Sequence, residues 1–291
     1  MYKMINIDLD GTLLNSLGEI SEGNMKELRR CIDSGVEVVL TSGRVVSSIK
    51  NFAKEIGNNN YLIAGNGSTI YDINNEKIIY QNTIDKEKVL RIIKICEENS
   101  IFYNVYTEKY IISKALNYNV LFYSKENLKK PDNEKTNINI IEDIYSYVEG
   151  LNEDVKISKI SVCDKDQVVF SSIIKRLREI EGVDVLDVAH MSRKYIENGT
   201  DVVPVEYYYS EISNQNVNKW EAIKILAEQL NIKPEEVIAI GDNINDKEML
   251  QNAGLGVAME NAAPYIQEYA KYVTANNNED GVAKVIEKFV I

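Results

Sequence analysis

Histidine is almost absent from this 291-residue chain; His190 is the only one. That excludes a metal centre built on several imidazoles and leaves the single ring an ordinary structural role. Cysteine is scarce as well. Cys31, Cys96 and Cys163 are odd in number, far apart and without a C-x-x-C pair, so packed, reduced thiols are expected, not a disulfide framework or a zinc site. Basic residues fall short of acidic ones, 33 against 45, for a net charge of −12. A nucleic-acid surface needs a basic face, so no nucleic-acid partner is expected. No apolar run approaches the roughly 18 residues of a membrane span, and no internal repeat or low-complexity stretch is visible. Charge and Asp8 arrive too early for a signal peptide. The expectation is a cytoplasmic protein without a membrane partner, a monomer or weak dimer.

What is present is a globular composition, 44% hydrophobic and 27% charged, at a length that suggests about two ordinary domains. The chain is organised around its beginning. Met4, Ile5, Ile7 and Leu9 form a short apolar run that breaks at Gly11, as a buried parallel strand does where it meets its loop. Asp8 and Asp10 stand two apart, so both point to one side at the strand's carboxyl end. Open α/β sheets place their chemistry at that end.

Two carboxylates this close repel, by roughly 4 kcal/mol at about 4 Å and an effective dielectric near 20. Either one takes a proton or a cation sits between them. Asp242, in G-D-N-I-N-D after the apolar run Val237–Ile240, offers a third carboxylate and favours the cation. An acidic turn closing a strand would also read D-x-D-G-T, but chance produces the four fixed positions in roughly one chain of this length in a few hundred.

Along the chain, helical spacing over Ile20–Ser34 ends at Gly35. A strand at Val36–Leu40, a helix at Val45–Ile56 and a strand at Tyr61–Ala64 follow. This alternation is that of a doubly wound parallel sheet. From about Thr83 the texture changes to α+β: a helix at Lys86–Asn99, a hairpin at Ile101–Tyr106 and Tyr110–Ser113, and a strand at Val155–Cys163. A helix at Val168–Ile180 and a strand at Val183–Val188 come next. His190–Glu206 reads equally as loop, hairpin or excursion. Alternation returns with a strand at Tyr207–Ile212, a helix at Asn218–Leu230 and further elements to Val290. The expected fold is therefore α/β, a Rossmann-like doubly wound core in two segments, 1–82 and 210–291, with an inserted α+β domain over 83–209.

Four strand ends carry polar clusters: Asp8 with Asp10, the run Thr41-Ser42-Gly43-Arg44, Gly65-Asn66-Gly67, and Gly241-Asp242-Asn243. In a parallel sheet these ends lie together. The T-S-G-R run opens a helix, presenting a hydroxyl and backbone N–H groups to an anion, although a plain helix cap would look the same. Lys219, opening the Asn218–Leu230 helix, reaches the same place as a point charge for phosphate. Such parts suit phosphate esters, where catalysis is mainly positioning and charge stabilisation. A carboxylate nucleophile can split the reaction through an acyl phosphate, and a second carboxyl can protonate the leaving oxygen and later take a proton from water.

The D-L-D-G-T-L-L run from Asp8, T-S-G-R from Thr41, Lys219, and G-D-N-I-N-D-K-E-M-L from Gly241 resemble, in that order, the four motifs of the haloacid-dehalogenase-like phosphatases. The tail G-L-G-V-A-M, N-A-A-P, Y-V-T and D-G-V-A is similar to the Cof-type subgroup, whose α/β cap is inserted after the third core strand. The resemblance implies a Mg²⁺-dependent phosphatase of small phosphorylated metabolites, acting through an aspartyl-phosphate. A phosphotransferase or phosphomutase of the same architecture, and a non-catalytic sensor of a phosphorylated ligand, are the alternatives.

By the same resemblance Asp8 is the nucleophile and a metal ligand. Asp10 is the general acid/base and a ligand through its carbonyl, and Asp242 is the carboxylate ligand of the fourth motif. Thr41 is the phosphate-binding hydroxyl, with Leu9, Ser42 and Gly43 on the phosphate side. Lys219 holds phosphoryl oxygens and the nucleophile. Asn245 is a phosphate-side amide and Asp246 an acid behind the lysine. Arg44, Asn66 and Gly67 sit where substrate approaches. Two features depart from the subgroup: Trp220 stands where glycine is usual, which would alter the helix start or narrow the pocket, and His190–Glu206 is longer than the usual cap return.

Overall fold

The computed structural model describes residues 2–128, 130–132, 135–186, 192–198 and 201–290, without the side chains of 192–198 and 201–203. The chain forms two compact units, Met1–Gln81 with Val217–Ile291, and Asn82–Asn216.

In the first unit, strand β1 (Met4–Ile7) is buried along its whole length. Period-two alternation turns Ile5 and Ile7 to one face and Met4 and Asn6 to the other. After helix α1 (Glu22–Asp33) come strand β2 (Glu37–Thr41), helix α2 (Val46–Ile56) and strand β3 (Tyr61–Ala64), then β4 (Thr69–Asp72) and β5 (Lys77–Gln81). β1, β2 and β3 pair in parallel, whereas β4 and β5 run antiparallel at the edge. The alternation that marks the first three strands says nothing about the last two, which follow the Gly65–Gly67 turn as a meander.

The second unit begins with α3 (Lys86–Glu98), β6 (Phe102–Thr107) and β7 (Tyr110–Ser113). It continues through α4 (Tyr118–Asn127), β8 (Asn137–Ile140), α5 (Ile144–Glu149), β9 (Ile157–Asp164) and α6 (Gln167–Leu177). It closes with β10 (Val183–Val185), β11 (Ser192–Asn198) and β12 (Asp201–Asn214). Its sheet runs β10-β12-β9-β6-β7-β8, with β11 paired to β12 alone. Apolar side chains of α3, α5 and α6, among them Ile92, Val148 and Phe170, pack on Val105, Ile160 and Ile212 of the sheet. So 192–198 and 201–207 are arms of an antiparallel hairpin. His190 and the last residues of the strand expected up to Val188 lie outside the described residues.

Tyr207–Ile212 belongs to β12, with Tyr208–Ile212 paired to β9, so the chain re-enters the first unit at Val217 instead of at residue 210. A half-buried alternating strand fits either sheet by its pattern, and only the partner strand decides which.

The chain then completes the first unit with α7 (Lys219–Gln229), β13 (Val237–Gly241), α8 (Lys247–Asn252), β14 (Leu255–Met259), α9 (Pro264–Gln267), β15 (Tyr272–Thr274) and α10 (Gly281–Phe289). The full order is β15-β14-β13-β1-β2-β3-β4-β5. One face packs Leu28, Ile49 and Val285 of α1, α2 and α10 on Ile5 and Ile7. The other packs Ile223 and Leu226 of α7 and Met249 of α8 on Met4, Val39 and Ile63. Trp220 lies in that second layer, 8% exposed. Asn218 caps α7 by accepting the Glu221 N–H. The indole therefore neither disturbs the helix start nor narrows a pocket; it fills core. Among the described residues no helix is long and apolar enough to cross a membrane.

Candidate active site

β1 and β13 are parallel neighbours, so their carboxyl ends bring Asp8 beside Gly241 and Asp242. Asp8, Asp242 and Asp246 each offer a carboxylate oxygen, all within 4.8 Å of one another. Lys219, fully buried as the first residue of α7, donates to Asp8 Oδ1 at 2.5 Å and to Asp246 Oδ1 at 2.6 Å. The second oxygen of Asp246 accepts the N–H groups of Asp242 and Asn243 at 2.9 and 3.0 Å. Asp246 is thus bonded to the lysine and to the backbone of the fourth motif at once. Thr12 donates to Asp242 Oδ1 at 2.9 Å; the sequence reading does not single it out, although it is the threonine of D-L-D-G-T.

The backbone is shaped to let these groups meet. Gly11 has φ of +85°, and a Cβ there would lie 2.4 Å from Asp242 Oδ2. Only glycine combines that conformation with so close an approach.

Electrostatics follow from burial. Desolvation pushes the Asp8 carboxyl up to about 7; Lys219 opposes this, and the charges of Asp246 and Asp10 reinforce it. Desolvation also holds Asp242 well above the usual carboxylate range, with Asp8 and Asp246 adding to the effect. Burial pulls the Lys219 ammonium down, but Asp246 and Asp8 outweigh it and keep the lysine charged. Three acids share one internal cation, which leaves uncompensated negative charge. A set of carboxylate oxygens suits a hard divalent cation such as Mg²⁺ better than a softer metal.

Asp10 stands apart from this cluster. Its carboxylate is 59% exposed and is held by Arg44 in a two-pronged pair, Nε to Oδ2 at 2.8 Å and Nη2 to Oδ1 at 2.6 Å. The Leu9 side chain is wholly buried in the apolar layer, and its carbonyl accepts the N–H groups of Thr12 and Leu14. Only its own N–H remains to face an anion.

The T-S-G-R run does not open a helix directly. Thr41 ends β2, and α2 begins at Val46 with Val45 at its cap. The Ser42 N–H donates to the Ile63 carbonyl at 2.9 Å, and its hydroxyl accepts the Arg44 N–H at 3.2 Å. That amide is committed to the sheet and is withdrawn from an anion cradle. The Asn66 N–H donates to the Ser42 carbonyl, and Asn245 Nδ2 donates to Asn66 Oδ1 at 3.0 Å. Asn66 takes a left-handed conformation, φ 56°, and with Gly67, whose added Cβ would meet the Asn218 carbonyl at 2.2 Å, it carries the turn against the start of α7. The expected positions in the first unit therefore fall on strand ends and the turns that follow them, with Lys219 at the start of α7, Asp246 joining the acid cluster and Asp10 paired to Arg44.

Comparison with known proteins gives the same grouping. Residues 5–286 match the haloacid dehalogenase-like hydrolase family. Phosphatase YwpJ of Bacillus subtilis is 30% identical over 98% of this chain and 99% of its own. The 5-amino-6-(5-phospho-D-ribitylamino)uracil phosphatase YwtE of the same organism is 30% identical over 99% of this chain and 98% of its own. A solved haloacid dehalogenase-like hydrolase from B. subtilis superimposes with a TM-score of 0.81 at 28% identity, covering 99% of this chain and 100% of that one. The chain belongs to the haloacid dehalogenase-like hydrolases, among their phosphatases.

Proposed function

We propose that this protein is a Mg²⁺-dependent phosphatase of small phosphorylated metabolites that works through an aspartyl-phosphate on Asp8. The observation that carries the reading is the Asp8–Lys219–Asp246 chain of contacts at 2.5 and 2.6 Å beside Asp242. Asp8 and Asp242, with the Asp10 carbonyl, would hold the ion, whose charge would offset the carboxylates and the phosphoryl oxygens. Asp8 is the nucleophile: its carboxylate attacks phosphorus and the ester oxygen leaves. Asp10 gives that oxygen a proton, for which its carboxyl must first leave the Arg44 fork and be protonated, and then takes one from the water that cleaves the acyl phosphate. Thr41, the Gly43 amide and Lys219 bind the phosphoryl oxygens, and the Asn66–Asn245 pair borders the substrate. The unit Asn82–Asn216 is the inserted domain that selects the leaving group. A relative acts on a phosphorylated ribitylamino-uracil, which supports a polyol or nucleotide-like phosphate as the substrate class.

The deciding experiment is a panel of phosphorylated metabolites, with p-nitrophenyl phosphate as reference, assayed with Mg²⁺ and with excess chelator. Phosphate release that needs the ion and vanishes in Asp8→Asn is the expected result. Undiminished turnover by Asp8→Asn would dispose of the covalent route.

A further inference from the structure

Asn6 is the one polar residue in the four-residue strand β1, and it is wholly buried. Its register neighbours are apolar, Val39 on β2 and Ala239 on β13. By alternation it shares a face with Met4 and Asp8, the face covered by α7, and so lies one step beneath the Asp8–Lys219 pair. An apolar side chain would serve the core better there, because a buried amide with an unmade hydrogen bond costs stability. The Asn6 amide is in that state: among the described residues Nδ2 has no partner, and Oδ1 has a long contact of 3.5 Å from the Thr41 hydroxyl.

That contact has a chemical consequence. A threonine hydroxyl has one proton and two lone pairs. In the geometry described, Thr41 points its only proton at Asn6, away from any anion. Turning the amide by half a revolution exchanges its two ends at nearly constant shape. Nδ2 then donates to Thr41 Oγ1 and Oδ1 takes over the unpartnered place, so the number of unmade hydrogen bonds is unchanged, but the hydroxyl proton is released toward the strand end, where a phosphoryl oxygen would sit. Register places Thr41 beside Asp8, one residue beyond the Ile7–Leu40 pair.

We propose that Asn6 is a positioning residue that orients the Thr41 hydroxyl as a hydrogen-bond donor to the phosphoryl group. The proposal rests on the phosphatase reading above. Asn6 acts through Thr41 and touches neither substrate nor ion, so its loss weakens phosphate binding without removing chemistry.

The test is a double-mutant cycle of Asn6→Val, Thr41→Val and the pair, with Asn6→Ala as a second probe of the same position. The readouts are kcat/KM for p-nitrophenyl phosphate, the inhibition constant of inorganic phosphate, and the thermal midpoint. Asn6→Val should lower kcat/KM about tenfold and raise the phosphate inhibition constant about tenfold, at an unchanged or higher midpoint. In the Thr41→Val background the Asn6 substitution should have no further effect. Wild-type phosphate inhibition in both Asn6 variants overturns the proposal. So does a loss that persists in full without the Thr41 hydroxyl, or one that merely follows a fall in the midpoint. If the wild type turns over no phosphate ester, the phosphatase reading fails by itself. The rise in midpoint caused by inorganic phosphate, compared across the same four proteins, still decides the Asn6–Thr41 coupling.

Discussion

The carboxylate of Asp246 lies 2.6 Å from the ammonium of Lys219, and both side chains are fully buried. The same carboxylate ties down the N–H groups of Asp242 and Asn243. It therefore links the position of the lysine to the position of a candidate metal ligand. Asp246→Asn keeps the shape and removes the charge. It should raise the Mg²⁺ concentration needed for half-maximal activity by about 10–100-fold, as measured by metal titration of the initial rate.

Acid and metal should substitute for each other in stability. The Asp8 carboxyl is raised from 3.8 to about 7, chiefly by burial. The folded state thus binds a proton more tightly than the unfolded state does. The contribution is complete below about pH 4 and is lost as pH rises through about 7, worth roughly 4 kcal/mol at about 1.4 kcal/mol per pKa unit. Asp242 is raised in the same direction. Chelated protein should therefore gain thermal stability as pH falls from 8 to 6. Asp8→Asn should gain it at pH 8, and Mg²⁺ at pH 8 should restore it to the wild type; calorimetry at the two pH values with and without chelator checks this.

Arg44 grips Asp10 with two donors, Nε and Nη2. Lysine supplies a point charge and cannot reproduce that fork. Arg44→Lys should lower kcat/KM about tenfold with no change in the Mg²⁺ requirement. Asp10→Asn, which removes the acid itself, should cost about 10²–10⁴-fold. Steady-state kinetics on an ester with a poor leaving group separates the two.

At Gly11 a methyl group would collide with Asp242 and also meet the penalty of a left-handed conformation, about 1–2 kcal/mol. Gly11→Ala should lose both thermal stability and Mg²⁺ binding. Titration of the ion by calorimetry distinguishes this from a simple loss of stability.

Trp220 sits in the layer that joins α7 to Met4, Val39 and Ile63. Trp220→Ala should destabilise by about 3–5 kcal/mol while leaving the order of preference among phosphorylated substrates unchanged. Denaturant unfolding together with the substrate panel tests both halves.

Most of the first unit was legible in its residues. Short apolar runs ending in Asp8, Thr41, Gly65 and Gly241 specify parallel strands, and a parallel sheet has no choice but to gather their carboxyl ends. The antiparallel pair Thr69–Asp72 and Lys77–Gln81 escaped notice because T-I-Y-D and K-I-I-Y-Q are short, mixed stretches and not the uninterrupted apolar runs of the buried parallel strands. The boundary expected at residue 210 cuts through the strand Tyr207–Ile212 because alternation records a half-buried face and not the identity of its neighbour.

The chain's own order of residues determined which chemical groups are available at the site: acids in a spacing that repels itself, one lysine to offset them, one arginine. What only tertiary structure decided was how these groups are shared. Asp10 went to Arg44 instead of joining the acid cluster, the Ser42 amide went to Ile63, and Asn6 was buried against Thr41. Each of these pairings joins residues from different loops or strands. Their strength depends on a separation of a few ångströms in a medium of low dielectric, and no spacing along a chain encodes that.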